Sequence, residues 1–191
     1  MSDKRRNPQR GPHPLDPNRL EELALAYVAR FATTQAKLRG YLQRKLRERG
    51  WSEEAQSEGR GPDVEALVER YAQKGYVDDA SWARMKAGSL LRRGYGARRV
   101  GEALGQAGVD ETLRAEARPG IAEQRRAALV LARRRRFGPF AVQVAEDPKV
   151  QDRQLAAMLR AGHPLDIARR IVESEDADAL EEWCESEFGD Y

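Results

Sequence analysis

Apolar residues recur along this chain at helical spacing. Leu20, Leu23, Ala24, Tyr27, Val28 and Phe31 stand at i, i+3, i+4, i+7, i+8 and i+11, one continuous stripe that predicts a helix over 18–32. Thr33 or Thr34 offers a hydroxyl to the first free backbone N–H groups of a second helix. That helix carries Leu38, Leu42 and Leu46 on one face and ends at Gly50. Asp63 caps a third, with Val64, Leu67, Val68 and Tyr71 inward, which stops at Gly75. A fourth starts at Asp78–Asp79, where acids complement the helix dipole, and presents Trp82, Ala83, Ala87, Leu90 and Leu91 before Gly94. The fifth carries Val100, Ala103, Leu104 and Ala107, and a weaker sixth lies between Asp110 and Pro119. The seventh runs over 121–137 with Ala128, Leu131 and Ala132 inward and stops at Gly138. The eighth shows Leu155, Met158 and Leu159 before Gly162. Pro164 fits the first turn of a ninth, which carries Leu165, Ala168, Ile171 and Val172.

These elements repeat. Shifting the chain by 58 positions (42 to 100) lays Leu42, Leu46, Gly50 and Trp51 on Val100, Leu104, Gly108 and Val109, and a third copy falls at Leu155, Leu159, Gly162 and His163. The pattern predicts an all-α fold, an elongated tandem array of three three-helix, helix-turn-helix-like repeats over 18–75, 76–119 and 120–174. None of these is large enough to bury much apolar area alone. Residues 1–17, rich in proline and arginine, read as a flexible arm whose Lys4, Arg5, Arg6 and Arg10 could touch nucleic acid. Residues 52–62 read as a loop. Residues 175–191 read as a solvated acidic tail, with mimicry of nucleic acid or a self-inhibitory fold-back onto the basic middle as the alternatives.

Composition narrows the function. No run approaches the roughly 18 apolar residues of a membrane span, and no apolar leader is visible, so a soluble cytoplasmic protein is expected. The single cysteine, Cys184, excludes an internal disulfide. His13 and His163 stand apart from it, no phosphate-binding glycine loop is present, and no nucleophile–base set can be proposed, so neither an enzyme nor a metal or other cofactor is expected. The net charge of +3 hides a polarised chain. From Arg84 to Arg136 there are fourteen Lys and Arg against five Asp and Glu, whereas Glu173 to Tyr191 holds nine acids and no base. A local excess of this size points to a polyanionic or acidic partner.

Two segments carry the most information. The first is Gly75-Tyr76-Val77-Asp78-Asp79-Ala80-Ser81-Trp82-Ala83. The second is Leu91-Arg92-Arg93-Gly94-Tyr95-Gly96-Ala97-Arg98-Arg99-Val100, continued by Glu102, Leu104, Gly108 and Val109. Together they resemble the central repeat of the RecX family, bacterial regulators of the RecA recombinase. That family carries Gly-Tyr-Leu-Asp-Asp-x-x-Phe-Ala, then Arg-x-x-Gly-Tyr-Gly-x-x-Arg-Ile-x-x-Glu-Leu-x-x-Lys-Gly-Ile/Val, and Gln106 stands here where it has Lys. More loosely, 30–50 resembles its first repeat, Arg136-Phe137-Gly138 its Lys-Tyr/Phe-Gly element, and 155–163 its closing segment, covering about 18–174 in all. Trp82 stands where the family has Phe, and His163 where it has Phe or Tyr.

The resemblance implies a regulatory protein that binds the RecA–DNA nucleoprotein filament, limits its strand-exchange and co-protease activity, and so regulates DNA repair. It implies weak, nonspecific contact with single- or double-stranded DNA, no membrane, and a monomer. Tyr95 reads first as a wedge between helices, but Arg92, Arg93, Arg98 and Arg99 exceed what a short turn needs. The run Arg133, Arg134, Arg135, Arg136 exceeds what a helix dipole needs. These nine residues, with Tyr95 among them, form the candidate contact set. The rival reading is a direct helix-turn-helix DNA-binding transcription regulator.

Overall fold

A computed structural model describes residues 13–141 and 147–186. Every regular element among them is a helix, and extended pairing is confined to one bridge between Leu15 and Trp51. The chain divides into two compact units, Met1–Asp78 and Asp79–Tyr191. Among the described residues, no helix is long and apolar enough to cross a membrane.

The first unit contains α1 (Pro17–Arg30), α2 (Gln35–Arg49), a short α3 (Glu53–Ser57) and α4 (Val64–Gln73). Asp16 accepts from the Arg19 N–H at 2.9 Å, Thr34 from Lys37 at 3.2 Å and Asp63 from Ala66 at 2.9 Å, so each start uses a side-chain oxygen on a free donor. The periodic residues Leu20, Ala24, Leu38, Leu42, Leu67, Val68 and Tyr71 meet in one core. Two expectations change here. The expected arm ends earlier than residue 17. Leu15 is fully buried in that core, and its backbone donates to Gly50 (2.9 Å) and accepts from Ser52 (2.8 Å). An isolated leucine between prolines gave no periodicity to read. Lys4, Arg5, Arg6 and Arg10 lie outside the described residues. Within the expected loop 52–62, Ser52 caps α3 and Glu53–Glu54 sit favourably in its first turn, while the Trp51 indole donates to the Arg60 carbonyl at 2.8 Å.

The second unit contains α5 (Asp79–Arg92), α6 (Ala97–Gln106), α7 (Glu111–Glu116), α8 (Ile121–Arg135), a 3₁₀ turn (Gly138–Phe140), α9 (Pro148–Arg160), α10 (Leu165–Glu173) and α11 (Ala177–Glu185). One apolar cluster gathers Trp82, Ala83, Ala87, Leu90, Val100 and Leu104. A larger one joins Leu131 and Ala132 of α8, Met158 of α9 and Ile171 of α10 to α11. The expected seventh helix stops short: α8 ends at Arg135, and Arg136 takes the left-handed cap conformation at φ 58°, ψ 53°.

The expected solvated tail is corrected most. Residues 177–185 form α11, and its Leu180, Trp183 and Cys184 are buried against α8 and α10. Acids at 178, 181, 182 and 185 face outward or partly outward, which is why charge concealed an amphipathic helix. Arg125 of α8, itself buried, donates to the Trp183 carbonyl at 3.1 Å and lies 4.4 Å from the Trp183 ring centroid. Burial also pushes the Cys184 thiol up to about 11, leaving it a neutral apolar filler at physiological pH. Phe188 lies outside the described residues.

Truncating Trp183→Ala removes the largest side chain of α11 and the ring contact of the Arg125 guanidinium, whose backbone hydrogen bond remains. The expected cost is about 3–5 kcal/mol, read as a drop in urea midpoint, whereas a solvated tail would give almost none.

Candidate partner-binding surface

The Gly94-Tyr95-Gly96 turn is built by close backbone approach. Gly94 has φ +80°, and a Cβ there would lie 2.9 Å from the Leu131 backbone nitrogen on α8. Gly96 has no left-handed requirement, but a Cβ on it would lie 2.3 Å from the Gly162 carbonyl carbon, inside any permitted contact. The space is used for hydrogen bonds: Gly96 N–H donates to Ala161 O at 2.9 Å, and Arg98 N–H to Gly162 O at 3.2 Å. The connection between α5 and α6 is therefore bonded directly to the connection between α9 and α10.

His163 completes this junction. Its ring is buried, and Nε2 donates to the Gly94 carbonyl at 3.0 Å, which makes Nδ1 the bare nitrogen of a neutral imidazole. Burial lowers its pKa below the ordinary 6.5, and the Gly94 bond opposes that only in part. The histidine that departs from the aromatic pattern thus ties two turns together by a polar contact. Tyr95 is half-buried against the α5–α6 cluster, with the Arg93 guanidinium 5.4 Å from its ring centroid.

The structure places all eight candidate arginines at the surface. Lys86, Arg93, Tyr95 and Arg99 surround one shallow cleft of about 150 Å³. Arg98 lies on the other side of α6, where it donates to the Leu159 carbonyl at 2.9 Å. Arg98 and Arg99 also share one counter-ion, the motif's own Glu102, whose pairing the motif alone does not reveal: it accepts from Arg98 at 2.6 Å and from Arg99 at 3.1 Å. The i+3 and i+4 spacing was the available signal. Arg133 is likewise engaged, by Glu181 of α11 and at 5.7 Å from the Phe140 ring centroid. Arg92, Arg134, Arg135 and Arg136 make no side-chain hydrogen bond or ion pair with another described residue. The two groups of arginines meet through the backbone, since Gly94 lies against Leu131, two residues before Arg133.

Arg136 is the non-glycine residue with positive φ among the described residues. A side chain in that conformation costs on the order of 1 kcal/mol relative to glycine. Holding an arginine there, unpartnered, is a cost without a local structural return.

No family model matches the chain. Several curated relatives do. It is 34% identical over 179 residues to the regulatory protein RecX of Myxococcus xanthus, spanning 91% of this chain and 94% of the relative. It is 32% identical over 167 residues to the regulatory protein RecX of a Mycobacterium species (strain JLS), covering 85% of this chain and 86% of the relative. The regulatory protein RecX of Pseudomonas putida GB-1 is 32% identical over 145 residues, 72% of this chain and 81% of its own. The chain belongs to the RecX family. The glycine junction and the arginine clusters therefore sit in a RecX-type regulatory protein, and the motif reading of 75–83 and 91–100 agrees with the full-length likeness.

In this RecX-family protein the buried histidine supplies a pH signature. Because its folded pKa is depressed, the unfolded chain takes up the proton first. The His163 contribution is intact above about pH 6.5 and is lost as pH falls through the lower folded value. Urea unfolding from pH 7.5 to 5 should show that slope. His163→Gln, which keeps an N–H donor without titrating, should remove it.

Proposed function

We propose that this protein binds a recombinase-coated DNA strand, a RecA-type nucleoprotein filament, and restrains its strand-exchange and co-protease activity. It would thereby regulate DNA repair in the cytoplasm. The observation that carries the reading is the set of exposed arginines on the second unit, four of them without a partner among the described residues, in a chain of the RecX family. Guanidinium groups pair with carboxylates and phosphates alike, which suits a surface that must hold protein and nucleic acid together. The work asked of the chain is binding, not bond-making. Its members in the contact set are Arg92, Arg93, Tyr95, Arg98, Arg99 and Arg133 to Arg136. Within it, the unpaired Arg134, Arg135 and Arg136 rank above Arg98 and Arg99, whose charge Glu102 already meets.

Three separate apolar clusters, at 15–77, 82–109 and 128–184, support a tandem array of helical repeats as the scaffold. Each cluster is small, and in such arrays each repeat leans on its neighbour. We further propose that the protein acts as a monomer and touches bare DNA only weakly.

Arg134→Glu combined with Arg135→Glu should weaken binding to recombinase-coated single-stranded DNA at least about tenfold and abolish inhibition of strand exchange, with the helical circular-dichroism signal unchanged. Reversing Arg98 and Arg99 should have a smaller effect on affinity. Unchanged inhibition in both variants would remove the site assignment. Tight, site-selective binding to duplex DNA without recombinase would replace the reading by that of a transcription regulator. Arg136→Gly separates the two roles: it should gain on the order of 1 kcal/mol of stability while losing filament affinity.

A further inference from the structure

A second basic feature of the Asp79–Tyr191 unit shares only Arg98 with the contact set. α6, α7 and the α9–α10 turn enclose an open cavity of about 510 Å³, within the range of ligand pockets. Three guanidinium groups line it: Arg98 from α6, Arg114 from α7 and Arg118 just beyond. One carboxylate, Glu111, shares the wall and pairs with Arg114, leaving a surplus of positive charge. The Arg114 Nε is buried and has no hydrogen-bond partner among the described residues, and the same holds for Nδ1 of His163, which also lines the wall. An unsatisfied buried donor such as the Arg114 Nε–H is uncommon and favours an incoming acceptor, while the bare His163 Nδ1 favours an incoming donor. Arg118 is exposed and makes no side-chain bond with another described residue.

The same cavity has an apolar side. Val100, Leu104 and Pro119 line it and are buried. Pro164 lines it too, and the next residue, Leu165, is 47% exposed. Ile121, two positions beyond Pro119, is 63% exposed. Leu165 and Ile121 each begin a helix, α10 and α8, so the backbone holds both near the lining residues. Large apolar groups left in water beside a concave cationic wall mark a docking surface.

We propose that this cavity receives an acidic segment of a protein partner that also carries a large apolar side chain. Carboxylates meet Arg114 and Arg118, and the apolar group lies against Ala115 and Pro164, beside Leu165 and Ile121. A phosphodiester strand uses the charge but gains nothing from the apolar wall. The site stands on the cavity alone and holds whichever partner the arginines of α8 serve.

The test is fluorescence anisotropy of the full chain with a labelled twelve-residue peptide of alternating Glu and Leu or Phe. The peptide should bind, and its counterpart with Gln for every Glu should bind about tenfold or more weakly. Arg118→Gln should weaken binding about tenfold. Gly101→Leu should block it by filling the cavity, because a Cβ on Gly101 meets nothing within 4 Å and the substitution suits a helix interior. An unlabelled dT12 oligonucleotide should not displace the peptide. Equal binding of both peptides, or unchanged binding by Arg118→Gln and Gly101→Leu, would overturn the proposal. Displacement by dT12 would reassign the cavity to nucleic acid. The filament assay is unaffected by any of these outcomes, so the two sites fail separately.

Discussion

The second unit depends on one contact in which backbones touch without side chains between them. Gly96 and Gly162 approach so closely that a single methyl group on Gly96 would overlap the opposing peptide. Two peptide hydrogen bonds and one imidazole bond cross that gap. Each of the two turns is short and by itself weakly determined. Bonded to one another, they fix the direction in which α6 leaves and the direction in which α10 leaves. The helices that carry Arg98, Arg99 and the basic end of α8 take their positions from this junction.

The consequence is a division of labour inside one motif. The glycines of 94–96 serve packing, and they require glycine for reasons of space at least as much as of torsion. The arginines around them serve no packing role of comparable size. Tyr95 does some of each: its ring closes the α5–α6 cluster and carries Arg93 above it. A surface built around a rigid backbone contact is well suited to recognition, because little ordering is left to be done when a partner arrives.

Much of this was legible before any coordinates. The stripe at 20–31, the caps at Thr34, Asp63 and Asp110, and the glycine stops all follow local rules of backbone satisfaction, and local rules can be read from a line of text. What escaped depended on distant partners. Leu15 has no periodic neighbours, and its burial is decided by Gly50 and Ser52, some 35 positions on (15 to 50). α11 looked like a solvated tail because four carboxylates interrupt its apolar residues, while Trp183 needed a guanidinium from residue 125 to reveal its role. His163 looked solitary because its acceptor, Gly94, is 69 residues away. The basic set was found by composition, but its pairing was not: the carboxylate of Glu102 and that of Glu181 decide which arginines are already occupied.

Glu102 gives the turn a resident competitor. Any phosphate or acidic side chain that reaches Arg98 and Arg99 must first displace a carboxylate tethered one helical turn away. An exchange of one anion for another yields little free energy on its own. On the surface proposed above, a stray polyanion would gain little here, and a ligand that makes contacts elsewhere at the same moment would profit from the swap. A single glutamate thus sets the threshold an incoming anion would have to meet.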